Sequence, residues 1–289
     1  MRLLTHSIAV VALVAGAACD TTPRGRDAAA GAQRVSEAAV RFEVVGDGSP
    51  SVSMLAYRAS ASGISTDDVL SIVDPLTAPA PEGFCVVRDV AGAPRALGAS
   101  GGKVELEALS GLHLDLALGA GNIAVTPSPR VYPDLASVVG GVVAEAGPVA
   151  LEGAPTGLAL ADEAGNRAAL GFPAQPRLIG PEGGALPANS VLSVSGDLVL
   201  GVSGAPSPPS PHPAFLELRP FGATWALACP VGSHDRVLIP AVEVARLANL
   251  HVPVSIEAVT RETHLLNVGG SSVRLTLEVR SSSVVELRP

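Results

Sequence analysis

Alternation of apolar and other residues is the sequence feature that most constrains this fold. In residues 112–118, leucine occupies every second position and alternates with His113, Asp115 and Ala117. Successive side chains of a β-strand point to opposite faces, so the pattern predicts an antiparallel strand with one buried and one polar face. Residues 272–280 show the same alternation, which places a second such strand near the end of the chain.

Short apolar segments recur along the chain, separated by residues that favour turns, including many of its 31 glycines and 25 prolines. Further strands are predicted at 39–45, 51–57, 84–90, 103–109, 190–196, 197–203, 214–220, 224–230, 236–240 and 254–262, with a hairpin over 156–172. One helix is predicted over 240–248, because Pro240 suits a first helical position. Many short strands without a β-α-β rhythm predict an all-β protein with β-sandwich architecture.

The chain is expected to contain two β-sandwich-like domains, over 39–148 and 149–289. The boundary is placed in the Gly/Pro-rich stretch 147–155. The proline-rich stretch 205–213 is the other candidate, although its composition favours a stiff extended loop. Residues 19–38 are small and polar without an apolar period, so they are predicted to form a flexible tether.

Residues 1–18 have the features of a signal peptide. Arg2 gives a positive start, an apolar run covers 8–18, and small residues precede Cys19. The apolar run is too short to span a bilayer as a helix, which needs about 20 residues. The sequence therefore predicts export of the chain.

The segment Gly16-Ala17-Ala18-Cys19 resembles the lipobox of bacterial lipoprotein precursors. In that family the cysteine thiol receives a diacylglyceryl group, the peptide is cut before the cysteine, and the new amino group is acylated. Gly16 departs from the family pattern, which more often has leucine or another aliphatic residue. The resemblance implies that lipid on Cys19 anchors the protein to the inner or outer membrane of the cell envelope. The alternative is an ordinary signal peptide cut after Ala18, with Cys19 left free.

A second resemblance covers about residues 190–289. A strand with Trp225 and Cys229, a short turn, the segment LIPAVEVARL and a final pair of strands follow one another there. This order is similar to that of uncharacterised β-sandwich envelope lipoproteins of high-GC Gram-negative bacteria. The resemblance implies a fold and a location but no activity.

Cys85 and Cys229 are the only cysteines after Cys19. In an oxidising envelope they have one internal pairing available, which would close a long loop and stabilise the fold. Both lie in predicted strands, so they could equally be two separately buried thiols that act as small apolar residues. The sequence leaves these two alternatives open.

Charge and composition exclude several classes of partner. The formal net charge is −8 and no basic patch is present, which argues against binding to nucleic acid. Attraction to anionic lipid is equally unsupported, so the membrane link rests on acylated Cys19. Aromatic residues make up only 3%, which disfavours a sugar-binding platform and favours another envelope protein as partner.

The densest polar cluster is Ser233, His234, Asp235 and Arg236. Hydrolytic triads assemble from separate segments, so consecutive residues predict a turn between two strands, although this is also the first place to look for a small-ligand loop. Ser100 and Lys103 match a Ser-x-x-Lys pattern, but the two intervening glycines disfavour the helix that this chemistry needs. No histidine or cysteine spacing indicates a metal site, and no cofactor is expected.

These observations predict a non-enzymatic, lipid-anchored envelope protein with a structural or protein-binding role. The alternative is a secreted hydrolase whose site is assembled from residues distant in sequence. Convergent carboxylates or a Ser/His pair with shifted pKa values in a concave pocket would favour the hydrolase. Flat sheet faces and filled cores would favour the binding protein.

Overall fold

The computed structural model describes ten segments of the chain, and the predicted signal peptide (1–18), Cys19 and residues 20–32 lie outside them. The described residues are 33–45, 49–62, 81, 83–89, 103–119, 121–132, 138–139, 141–204, 214–232 and 235–288. Within this part, no helix is both long and apolar enough to cross a membrane.

Strands dominate the described part of the chain. They are β1 (Gln33–Val45), β2 (Ser51–Ser62), β3 (Val86–Asp89), β4 (Lys103–Ala108), β5 (Leu112–Leu118), β6 (Gly121–Val125), β7 (Ser128–Tyr132), β8 (Val138–Val139), β9 (Gly141–Ala150), β10 (Gly157–Asp162), β11 (Arg167–Gly171), β12 (Arg177–Ile179), β13 (Ser190–Ser193), β14 (Leu198–Ser203), β15 (Ala214–Pro220), β16 (Trp225–Pro230), β17 (Arg236–Ile239), β18 (Val254–Val268) and β19 (Ser271–Arg288). Helix α1 (Ala241–Ala248) lies between β17 and β18. The prediction of an all-β fold with sandwich-like sheets is confirmed.

The strands form three sheets. The first, the large sheet, has twelve strands with the main order β3-β16-β15-β18-β19-β1-β2-β4-β8. In addition, β13 pairs with β19, β9 pairs with β2, and β7 pairs with β9. The second sheet has the order β11-β10-β5-β6 and the third the order β12-β14-β17. The long hairpin β18–β19 occupies the centre of the large sheet, and β1 pairs with β19 in parallel, with Val40 opposite Leu277.

Two apolar cores lie against the same face of the large sheet. The first core contains Phe42, Met54, Leu114, Leu160 and Leu277 and lies between the large and second sheets. The second core lies between the large sheet, the third sheet and α1, and includes Leu200, Leu216, Leu227, Ile239, Leu247 and Val285. Both cores include odd-numbered residues of β19, which all lie on one face of that strand. The two smaller sheets therefore pack side by side on this apolar face and bury it.

The domain boundary predicted at 148/149 needs correction. That boundary lies inside β9, and strands from both sides of it pair with one another: β1 with β19, β3 with β16, and β5 with β10. Strands from the two sides of the predicted boundary therefore pair with one another in both the large sheet and the second sheet. The predicted tether is also too long, because β1 begins at Gln33 and not at residue 39.

Most predicted elements are present with similar bounds, including β5, β15 and α1. The helix begins after Pro240, and Ala241 N donates a hydrogen bond of 2.8 Å to Asp197 Oδ1, so its cap comes from a residue before β14. The strands that the sequence did not predict are β6, β7, β8, β9 and β12. They are short or contain glycine and proline, and they lack the alternation that identifies a half-buried strand.

Gly141 lies where the chain passes from β8, beside β4, to β9, beside β2. A Cβ atom at this position would overlap the carbonyl oxygen of Leu106 in β4 and would lie 2.8 Å from the Leu106 Cβ. The two neighbours therefore approach each other at a distance that only glycine allows.

We expect Gly141→Ala to lower the free energy of unfolding by about 1–3 kcal/mol, because the backbone of β4 or β9 must move to admit the methyl group. Denaturant titration followed by circular dichroism measures the change. Gly171→Ala is the matched control, since a Cβ there meets no atom within 4 Å. Equal losses in the two variants would contradict the tight approach at Gly141.

Candidate functional site: a buried ion network

The polar face of β19 is buried. Arg274, Thr276, Glu278, Arg280 and Ser282 alternate with the apolar residues of the cores, so they point to the other face of the large sheet. Glu278 has 0% exposure, and the other residues from 276 to 282 on this face are buried as well. The sequence predicts this face to be polar, but its centre is not accessible to water.

Glu278 is held by three guanidinium groups from three neighbouring strands. Its Oε2 accepts hydrogen bonds from Arg261 Nη2 at 2.7 Å and from Arg261 Nε at 3.2 Å. Its Oε1 accepts from Arg280 Nε at 2.5 Å and from Arg41 Nε at 3.3 Å. Strand register explains the convergence, because Arg41 in β1 and Arg261 in β18 both lie opposite Glu278.

Arg280 extends the cluster towards β15. Its Nη1 donates a short hydrogen bond to Glu257 Oε2, and its Nη2 lies 4.0 Å from Glu217 Oε2. Glu217 Oε1 in turn accepts from Arg219 Nη2 at 2.9 Å. We call the seven charged residues the buried ion network: Arg41, Glu217, Arg219, Glu257, Arg261, Glu278 and Arg280.

Charge compensation keeps Glu278 and Arg280 ionised. Burial raises the pKa of Glu278, but the positive charges of Arg280, Arg261 and Arg41 together outweigh burial and lower it to about 2. Burial lowers the pKa of Arg280, whereas Glu278, Glu257 and Glu217 raise it above the usual arginine value. Both groups are therefore charged at neutral pH. A general acid or base needs a pKa near the working pH, so neither residue suits proton transfer.

An apolar cluster borders the network at the β3 side of the large sheet. Phe215, Ala228 and Val259 are buried together, with Val86 packed against them. The guanidinium carbons of Arg88 and Arg261 lie 5.2 and 5.5 Å from the centre of the Phe215 ring, which is within the range of cation–π attraction. Arg261 therefore contacts an aromatic ring as well as a carboxylate.

The polar cluster singled out in the sequence is only partly described by the structure. Ser233 and His234 are outside the described residues. Gly232 N donates to Arg236 O at 2.8 Å and Asp235 has a φ of 56°, which is the geometry of a turn between β16 and β17. Among the residues that the structure describes, no group of three or more His, Cys, Asp or Glu side chains could hold a metal ion.

The structure joins Cys85 and Cys229 by a disulfide, with an S–S distance of 2.07 Å. Val86 lies opposite Ala228 in the pairing of β3 with β16, so the two cysteines stand directly opposite each other. The bond therefore connects neighbouring strands at the edge of the large sheet. This is one of the two alternatives that the sequence left open.

Sequence reasoning missed the buried ion network because its members come from four distant strands. The alternation of 272–280 placed Glu278 on a polar face, which would normally contact water. Such a face can be buried only if the strands on both sides carry side chains of opposite charge. Complementary charges in the segments containing Arg41, Glu257 and Arg261 were a usable signal. That signal becomes informative only once the pairing of the strands is known.

Comparison with known proteins gives no further assignment. No protein family model matches this sequence, and no curated protein matches it.

We expect Glu278→Gln to lower the free energy of unfolding at pH 7 by about 3 kcal/mol, because three guanidinium groups lose a buried negative partner. Glu107→Gln is the matched control: its ion pair with Arg58 is exposed, and such pairs contribute at most about 1 kcal/mol. Urea titration of both variants measures the difference. A loss at Glu278 no larger than that at Glu107 would show that the network does not stabilise the fold.

The same carboxylate is expected to make the protein sensitive to acid. The pKa of Glu278 is lowered from 4.5 to about 2, so its contribution is complete above pH 4.5 and disappears as the pH falls to about 2. Unfolding free energies measured across this window should fall more steeply in the wild-type protein than in Glu278→Gln. Parallel curves would contradict the lowered pKa.

The disulfide predicts a simple labelling result. Alkylation of the unreduced protein under denaturing conditions should leave Cys85 and Cys229 unlabelled, because both sulfur atoms are bonded. Reduction before alkylation should add one label to each cysteine, which peptide mass spectrometry can locate. Labels on both residues without reduction would show that the bond is absent.

Proposed function

We propose that this protein is a lipid-anchored component of the cell envelope, in either the inner or the outer membrane, whose β-sheet body has a structural or protein-binding role. The observation that carries the proposal is the segment Gly16-Ala17-Ala18-Cys19 after a short apolar run. Its resemblance to a lipobox makes Cys19 the lipidated residue. Several acyl chains on one residue give stable anchoring, whereas a single chain binds only marginally.

The disulfide supports an extracytoplasmic location for the body of the protein. Disulfides form and persist in oxidising compartments such as the bacterial periplasm and are rare in the reducing cytosol. The bond between Cys85 and Cys229 agrees with export by the predicted signal peptide, and this argument is independent of the lipobox.

The buried ion network supports a non-catalytic role over the alternative, a secreted hydrolase. Glu217, Glu257 and Glu278 converge, as a carboxylate-based hydrolase site would require. However, glycosidase-type chemistry needs one carboxylic acid with a raised pKa, and the pKa of Glu278 is lowered. Every carboxylate of the network also lies within 4.0 Å of an arginine, which suits the fixing of strands.

Exposed apolar side chains support a protein as the partner. Val199 and Leu238 lie opposite each other in the pairing of β14 with β17, and 37% and 57% of their surfaces are exposed. Val242, in the first turn of α1, is 71% exposed. Apolar residues of this kind favour contact with another protein, whereas the net charge of −8 disfavours nucleic acid.

Cys19→Ala tests the anchor. The variant should move from the membrane fraction to the soluble fraction after cell disruption, because the thiol that receives lipid is absent. Cys85→Ser with Cys229→Ser is the matched control: it removes the other two cysteines and should stay with the membrane. A Cys19→Ala protein that still pellets with membranes, or an unmodified mature N-terminus in mass spectrometry, would overturn the proposal.

A further inference from the structure

We propose that the Cys85–Cys229 bond is an exchangeable latch: a dithiol oxidoreductase attacks Cys85, and reduction releases the edge strand β3 from β16. The inference uses the proposed function in one respect, because an oxidising envelope is what forms the bond. The exchange itself does not depend on the lipid anchor.

The strand β3 contacts few residues beyond β16, namely the apolar cluster through Val86 and the Phe215 ring through Arg88. It has four residues, begins the main order of the large sheet, and among the described strands pairs with β16 alone. Val87 is 44% exposed, and Phe84, just before the strand, is 73% exposed. A short segment with few buried side chains opens at a low free-energy cost. The disulfide adds a covalent restraint to these few contacts.

Release of β3 leaves the rest of the sheet paired. On its other side, β16 pairs with β15 from Leu227 to Pro230, and β15 pairs with β18 along its whole length. Cys229 is surrounded by the second core, whose apolar contacts do not require the sulfur bond. Reduction should therefore loosen one edge and expose the backbone of β16, without unfolding the body.

The two sulfur atoms differ in accessibility. Cys229 is fully buried, whereas Cys85 is half-buried at the edge. Cys85 Sγ also lies 3.7 Å from the carbonyl oxygen of Leu238 in β17, where the large sheet meets the third sheet. An attacking thiolate therefore reaches Cys85 first. The departing Cys229 sulfur takes up a proton from water.

The exchange balances as two thiol–disulfide steps. One thiolate of the oxidoreductase bonds to Cys85 Sγ as the Cys85–Cys229 bond breaks, and Cys229 leaves and is protonated. The second thiolate of the oxidoreductase then attacks its own bonded sulfur and frees Cys85, which is also protonated. The oxidoreductase ends as a disulfide, and this protein gains two electrons and two protons.

A trapping experiment tests the site of attack. The mature full-length protein is incubated, without denaturant, with a thioredoxin-type dithiol protein whose second active-site cysteine is replaced by serine. We expect a stable mixed disulfide, which peptide mass spectrometry places on Cys85. A mixed disulfide on Cys229, or no adduct until denaturant is added, would overturn the proposal.

Hydrogen exchange tests the consequence. In protein reduced by dithiothreitol, amides of β3 and their partners in β16 should exchange faster by about tenfold or more, while those of β18 should be unchanged. The Cys85→Ser, Cys229→Ser variant should reproduce this pattern without reductant. Unchanged exchange in β3, or faster exchange throughout β18, would overturn the latch. Peptides containing Cys19 report lipidation separately, so a failed anchor is distinguishable from a failed latch.

Discussion

Glu278 is the residue on which the arrangement of the large sheet depends. A carboxylate with no exposure to water is tolerated only when charged partners surround it, and its partners come from β1, β18 and β19. Sliding any of these strands by one residue would turn their charged side chains towards the apolar cores. Buried charges left unpaired cost several kcal/mol, so the network favours one register over its neighbours.

The apolar cores contribute burial of apolar surface, whereas the ion network contributes specific pairing of charges. The cores consist mainly of leucine, valine and alanine, with an edge-on contact between Phe42 and Phe172 at 4.7 Å as a more specific feature. Such side chains stabilise any arrangement that removes them from water. The ion network on the opposite face of the large sheet supplies the specificity that these cores lack. Both faces therefore stabilise the sheet, and the charge pairs add a constraint on register to the one that apolar alternation sets.

Two features of the chain support the proposed function. Cys19 precedes β1, and the disulfide fastens the edge strand β3 beside β16. A β-sheet body with a fixed centre suits the role proposed for this protein, in which lipid holds one end and the surface contacts another component. At the charged centre, arginines hold the pKa of Glu278 at about 2, so this carboxylate stays ionised at neutral pH.

The sequence by itself determined where strands such as β5 and β15 lie, because alternation is a local property of consecutive residues. It also determined the lipobox-like segment and the single pairing open to Cys85 and Cys229. Only the tertiary structure decided that β1 pairs with β19, that one large sheet crosses the predicted domain boundary, and that Glu278 is buried. Strands pair through backbone groups that are the same in nearly every residue, so periodicity reveals a strand but not its partner.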